Sequence, residues 1–97
     1  MIDLQKYLTC LKDSGVQFIS GVPDTLLNDL CLAIESDWPK DKHVLAANEG
    51  NAIALAAGYQ IATGTVPIAY MQNSGLGNAT NPLISLTDNT VYAIPMV

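Results

Sequence analysis

Four short apolar runs alternate with amphipathic stretches along this chain, and that alternation leaves few folds open to it. The runs are Val16 to Val22, His43 to Ala47, Val66 to Met71 and Val91 to Val97. Each is long enough for a buried strand and far too short to cross a membrane. Between them helical spacing recurs. Leu4, Tyr7, Leu8 and Leu11 form an i, i+3, i+4, i+7 stripe over Ile2 to Ser14, with Asp3 suited to the first turn and Gly15 to the stop. Leu27, Leu30, Cys31 and Ile34 give the inner face of a helix from about Thr25 to Ser36. Ala52, Leu55, Ala56 and Tyr59 mark the stripe of a third helix, Glu49 to Thr63, ended by Gly64. A fourth spans roughly Gly77 to Leu86, where Pro82 fits only inside the first turn. The order αβαβαβαβ predicts an α/β fold: a parallel sheet of about four strands with helices on both faces. Trp38-Pro39, in the polar loop from Asp37 to Lys42, is expected to lie across the domain edge.

At 97 residues the chain is one domain at most. Its last apolar run stops with the chain, so residues 1–97 are expected to be the N-terminal part of a longer domain. Only 13% of residues are charged while 49% are hydrophobic, which predicts a surface partly covered by another domain or subunit. The net charge of −5 comes from 9 acidic and 4 basic residues with no basic cluster, which disfavours nucleic-acid and anionic-membrane partners. Cys10 and Cys31 lack any metal-site spacing and are expected to be buried, reduced thiols, pointing to the cytoplasm. His43 stands alone, so no metal site is expected, and it reads as a strand-start surface residue.

Chemistry concentrates in three strand-to-helix turns: Gly21 to Asp24, Asn48 to Asn51, and Gln72 to Asn78. A parallel sheet opens all three at its carboxyl edge, where α/β domains bind ligands. Glu49 is the only acidic residue between Asp41 and Asp88, set among small neutral residues. Burial of a carboxylate without a nearby cation favours its protonated form and suits it to proton exchange. The plainer role is to offset the positive end of the helix dipole. Asp24 after Pro23 reads either as a helix cap or as a functional carboxylate. Gly75 and Gly77 could free backbone N–H groups as an anion cradle, or could simply supply positive φ in a tight turn. Gly75-x-Gly77-x-x-Thr80 is weak as a dinucleotide motif, since it lacks the third glycine and follows the third strand.

Taken together, Gly21-Val22-Pro23-Asp24, Ala47-Asn48-Glu49-Gly50-Asn51-Ala52 and Tyr70-Met71-Gln72-Asn73-Ser74-Gly75-Leu76-Gly77-Asn78-Ala79-Thr80-Asn81-Pro82-Leu83 resemble the pyrimidine-binding domain of thiamine diphosphate-dependent decarboxylases. The likeness runs the length of the chain and is nearest to the enzymes acting on 3-phosphonopyruvate, followed by those acting on sulfopyruvate. It implies a flavodoxin-like fold in which Glu49 hydrogen-bonds N1′ of the cofactor's aminopyrimidine. The shared proton drives the ring to its imino tautomer, which deprotonates the thiazolium C2. The resemblance further implies that Asp24 lies near the substrate, and that Pro23 and the turn Asn73-Ser74-Gly75 lie beside the cofactor ring. The diphosphate and its Mg²⁺ would be held by a companion domain or subunit that these residues do not include. The chain alone is therefore expected to be inactive, and the complete protein to be a homo-oligomer acting on a small 2-oxo acid. The alternative is a non-catalytic flavodoxin-like module using Ser74 to Gly77 for a phosphate.

Overall fold

The computed structural model describes residues 2–86 and 94–97. Asp3 starts the first helix, α1 (Leu4–Asp13), its carboxylate accepting from the backbone N–H groups of Gln5 and Lys6. Gly15, at φ 92°, turns the chain into strand β1 (Ile19–Gly21). Asp24 caps a 3₁₀ turn, Thr25–Leu27, which runs on into α2 (Asn28–Asp37). Then come β2 (His43–Leu45), α3 (Glu49–Thr63) and β3 (Ile68–Tyr70). Gly64 ends α3 in the left-handed conformation, φ 75°, that only glycine adopts cheaply.

The strands are parallel in the order β2-β1-β3, with Ile19 opposite both His43 and Ile68. Beyond β3 the sheet continues: Ala69 and Met96 form a parallel bridge, and Val97 donates to the Ala69 carbonyl at 2.9 Å. The expected fourth strand is thus represented by 94–97; its first part, 91–93, lies outside the described residues.

Alternation along β3 sorts the core into two faces. Ile68 and Tyr70 join Leu8, Ile19, Leu30 and Ile34 under α1 and α2. Ala69 and Met71 join Ile53, Ala56 and Ala79 on the opposite side, beneath α3. Helices therefore cover both faces, and each fully buried large aliphatic contributes roughly 1.5–3 kcal/mol. On β1, Ser20 points to α3 and donates to the Ala52 carbonyl at 2.7 Å, so its burial leaves no polar group unmatched.

Several local expectations are corrected. The buried face of α3 is turned by about one residue: Ala52 and Ala56 are buried together with Ile53 and Gln60, while Leu55 is 40% exposed. Tyr59 is half-buried and stacks on Phe18 at a centroid distance of 4.5 Å. An alanine-rich helix has no strong apolar stripe of its own, so sheet packing sets its rotation. Trp38 is in the core, 4% exposed, because its indole N–H reaches the Gln17 carbonyl at 3.1 Å. Cys10 is exposed on the outer side of α1, and only Cys31 packs against the core; both are free thiols. His43 is half-buried, since its Nε2 pairs with the Tyr70 hydroxyl at 2.9 Å.

The segment after β3 also differs from expectation. Instead of an open glycine turn, Asn73–Ala79 is a 3₁₀ helix that leads directly into α4 (Thr80–Ser85). The last helix thus begins later than expected, with Pro82 in its first turn, where its missing N–H costs nothing.

Candidate functional site

The three turns lie at the carboxyl edge of the sheet and are tied to one another by backbone. The Gly21 carbonyl accepts from Ala46 N–H at 2.9 Å, and Val22 N–H donates to the Tyr70 carbonyl at 3.1 Å. These bonds carry the parallel pairing one step past the strands, so the turns begin side by side.

Glu49 owes its position to its neighbour. Asn48 is extended, at φ −154°, and its Oδ1 accepts from Asn51 N–H at 2.9 Å, which starts α3 with Glu49 as its first residue. The helix-dipole role is therefore available to Glu49 whatever else it does. Its half-buried carboxylate also makes a specific contact: Oε2 accepts from the Asn78 side-chain amide at 3.0 Å. Oε1 lies against Gly75, and no hydrogen bond to it is found among the described residues. A Cβ added at Gly75 would collide with the Glu49 carboxylate, and one added at Gly50 would come within 2.9 Å of the Asn78 carbonyl oxygen. The 3₁₀ helix and α3 thus meet through two glycines, Gly50 against the Asn78 backbone and Gly75 against the Glu49 side chain.

This removes the positive-φ reading of the glycine turn and the cradle reading at Gly75. Among the described residues only Gly15 and Gly64 have positive φ, so Gly75 and Gly77 are not there for backbone conformation. Gly75 is required by close approach. Nor is an anion cradle formed at Gly75, whose N–H is already donated to the Gln72 carbonyl at 2.9 Å within the 3₁₀ helix.

Of the residues singled out from sequence, Glu49 and Gly75 are brought into direct contact. Asn73 and Ser74 are exposed at the start of the 3₁₀ helix, and Asn73 borders a cavity of about 250 Å³ with Met71, Leu76 and Met96. Pro23 is exposed and Asp24 half-buried on the neighbouring turn, where the Asp24 Oδ2 caps Leu26 N–H at 2.9 Å. Its cap role is real, and Oδ2 is the oxygen engaged. Asn78, which donates to Glu49, is not among the residues singled out from sequence. The only signal was its place inside the third segment, three residues after Gly75. Among the described residues no group of three or more His, Cys, Asp or Glu could hold a metal ion, and no helix is long and apolar enough to cross a membrane.

Beside α3, between it and the β2 edge, runs an apolar groove of about 710 Å³ lined by Phe18, Leu45, Ala54, Leu55, Gly58 and Tyr59. On the other face of the sheet, burial, with Cys31 and Glu35 nearby, pushes the Tyr70 phenol well above its ordinary value, so it keeps its proton at neutral pH.

Comparison with known proteins agrees with the fold. Residues 5–97 match the family described as "Thiamine pyrophosphate enzyme, N-terminal TPP binding domain". The chain is 41% identical over 86 residues to a phosphonopyruvate decarboxylase of Streptomyces viridochromogenes, which spans 89% of this chain and 21% of that protein. It is 38% identical over 86 residues to a sulfopyruvate decarboxylase subunit alpha of Methanothermobacter thermautotrophicus, covering 89% of this chain and 50% of the subunit. The chain thus spans from about a fifth to half the length of these relatives. A solved benzoylformate decarboxylase from Polynucleobacter necessarius superposes with a TM-score of 0.70 at 24% identity, covering 88% of this chain and 16% of that one, which supports the fold.

Proposed function

Because the chain belongs to the thiamine pyrophosphate enzymes, matching their N-terminal TPP binding domain over residues 5–97, we propose that it forms the pyrimidine-binding part of a 2-oxo acid decarboxylase. The substrate proposed first is 3-phosphonopyruvate, giving phosphonoacetaldehyde and CO₂. Sulfopyruvate is the second, favoured by the similar identity to a sulfopyruvate decarboxylase subunit of which this chain covers half. Four lysines and no arginine leave a phosphonate and a sulfonate undistinguished from this side of the site.

The observation carrying this reading is the setting of Glu49: one oxygen held by Asn78, the other against Gly75, at the carboxyl edge of a parallel sheet. Such a carboxylate suits an aminopyrimidine ring, whose N1′ can share a proton with it. Gly75, by lacking a side chain, leaves the carboxylate its place. Glu49 would hold and exchange that proton, Asn73, Ser74 and Pro23 would border the ring, and Asp24 would act near the substrate. When bound, thiamine diphosphate supplies the electron sink for loss of CO₂. Its diphosphate and Mg²⁺ fall to a partner domain or subunit, and we propose a homo-oligomer, with the apolar groove beside α3 as part of its contact.

The test is Glu49→Gln in the complete enzyme. The amide keeps size and hydrogen bonding but cannot exchange a proton with the ring. Turnover is expected to fall roughly 10²–10⁴-fold with the fold intact, and hydrogen–deuterium exchange at C2 of the bound cofactor to slow with it. Unchanged exchange would leave Glu49 with its helix-dipole role alone.

A further inference from the structure

We propose that Asn78 is the positioning residue for Glu49, and that it directs the exchangeable proton of that carboxyl to Oε1. The inference rests on the reading of Glu49 as the cofactor-facing carboxylate and adds to it the group that sets its geometry.

The Asn78 amide nitrogen can only donate, and it donates to Oε2 at 3.0 Å. In the ionised state this bond holds one of two otherwise equivalent oxygens. In the protonated state the carbonyl oxygen is the better acceptor, so Oε2 keeps the carbonyl role and Oε1 takes the proton. The side chain therefore need not rotate between its two states. The reverse orientation of the amide would set its oxygen against the carboxylate and is disfavoured electrostatically.

The Asn78 side chain is exposed, but its backbone is placed by the same packing that places Glu49. Its carbonyl oxygen is pressed onto Gly50, the residue next to Glu49, where a Cβ would come within 2.9 Å. The residue after it, Ala79, is fully buried in the cluster beneath α3. Gly75 closes the opposite side of the carboxylate. The Glu49 carboxylate is thus flanked by an exposed amide donor and a bare backbone, both belonging to one 3₁₀ helix. A long, flexible acid held in this way meets a ring nitrogen in one geometry, which is what effective proton exchange requires.

Two measurements test this. In the ¹⁵N spectrum of this chain without cofactor, the Asn78 side-chain amide, identified by its loss in Asn78→Ala, should shift in Glu49→Ala and stay put in Asp24→Ala. An amide indifferent to Glu49→Ala overturns the proposal. In the complete enzyme, Asn78→Ala should slow C2 hydrogen–deuterium exchange of bound thiamine diphosphate on the order of 10–100-fold, with cofactor affinity changed only slightly. Asn78→Asp, equal in size and the fallback should the alanine variant misfold, places a second carboxylate against Oε2. It should move the acid limb of the pH–rate profile to higher pH, a displacement that loss of folded protein does not produce. Exchange within about twofold of wild type in a folded Asn78→Ala, or an unmoved profile in Asn78→Asp, defeats the inference while leaving Glu49 in place. Should Glu49→Gln itself leave exchange unaltered, the underlying reading fails and this inference with it.

Discussion

Gly75 and Glu49 lie so close that no side chain fits between them: a Cβ at Gly75 would occupy the space of the Glu49 carboxylate. Gly75→Ala is therefore expected to drive the carboxylate out of its place, because the competing atoms are backbone on one side and a half-buried acid on the other. Overpacking of this kind costs about 1–3 kcal/mol, so the fold should survive with a lowered thermal midpoint. Turnover in the complete enzyme should fall as steeply as in Glu49→Gln. An active Gly75→Ala enzyme would show that Glu49 can move without consequence.

Asp24→Asn separates a cap from a functional charge. Asparagine caps a helix as well as aspartate does, so the Leu26 N–H bond and the stability should be retained. In the complete enzyme, substrate turnover is expected to drop while C2 exchange of bound cofactor stays near wild type. Loss of both together would instead assign Asp24 to the cofactor.

Tyr70 is fully buried with its ring against Gly21, where an added Cβ would collide with it. Gly21→Ala should destabilise by roughly 1–3 kcal/mol, read as the denaturant midpoint. Tyr70→Phe keeps the packing and removes the hydroxyl's bonds to His43 and Cys31, each worth about 0.5–1.5 kcal/mol. If Tyr70→Phe proves the costlier change, the hydroxyl rather than the ring holds this face together.

His43 makes stability depend on pH. Burial lowers its imidazole below the ordinary value of 6.5, with Glu35 pulling the other way. The unfolded chain thus takes up the proton first as pH falls. Stability is full above about pH 6.5 and declines as pH drops towards the lower folded value. The thermal midpoint should fall between about pH 7.5 and about pH 5.5, and less steeply in His43→Gln. Equal slopes in the two proteins would assign the dependence to other groups.

Association should follow the groove beside α3. Leu45 is 52% exposed and Leu55 40%, both on an apolar surface with few charges nearby. Light scattering is expected to report a dimer or larger species, and Leu55→Lys to weaken it. A monodisperse monomer at working concentration rules this contact out.

Periodicity carried the α/β alternation and the parallel sheet, because short apolar runs and helical stripes record which residues must leave water; the bounds of α3 were legible from the turn before Glu49 and from Gly64. The strand-to-helix turns, and Glu49 within one of them, were equally legible, since a lone carboxylate after an apolar run is a local feature of the chain. What no local pattern could supply was the meaning of Gly75. Its neighbour across space is 26 positions away in the sequence, and a glycine kept for close approach looks the same in sequence as one kept for positive φ. Asn78 was hidden for the same reason, its partner Glu49 being 29 positions distant. The rotation of α3 and the burial of Trp38 likewise belong to tertiary structure. An alanine-rich helix has no strong stripe of its own, and an indole enters the core only when a distant carbonyl, here that of Gln17, accepts its N–H.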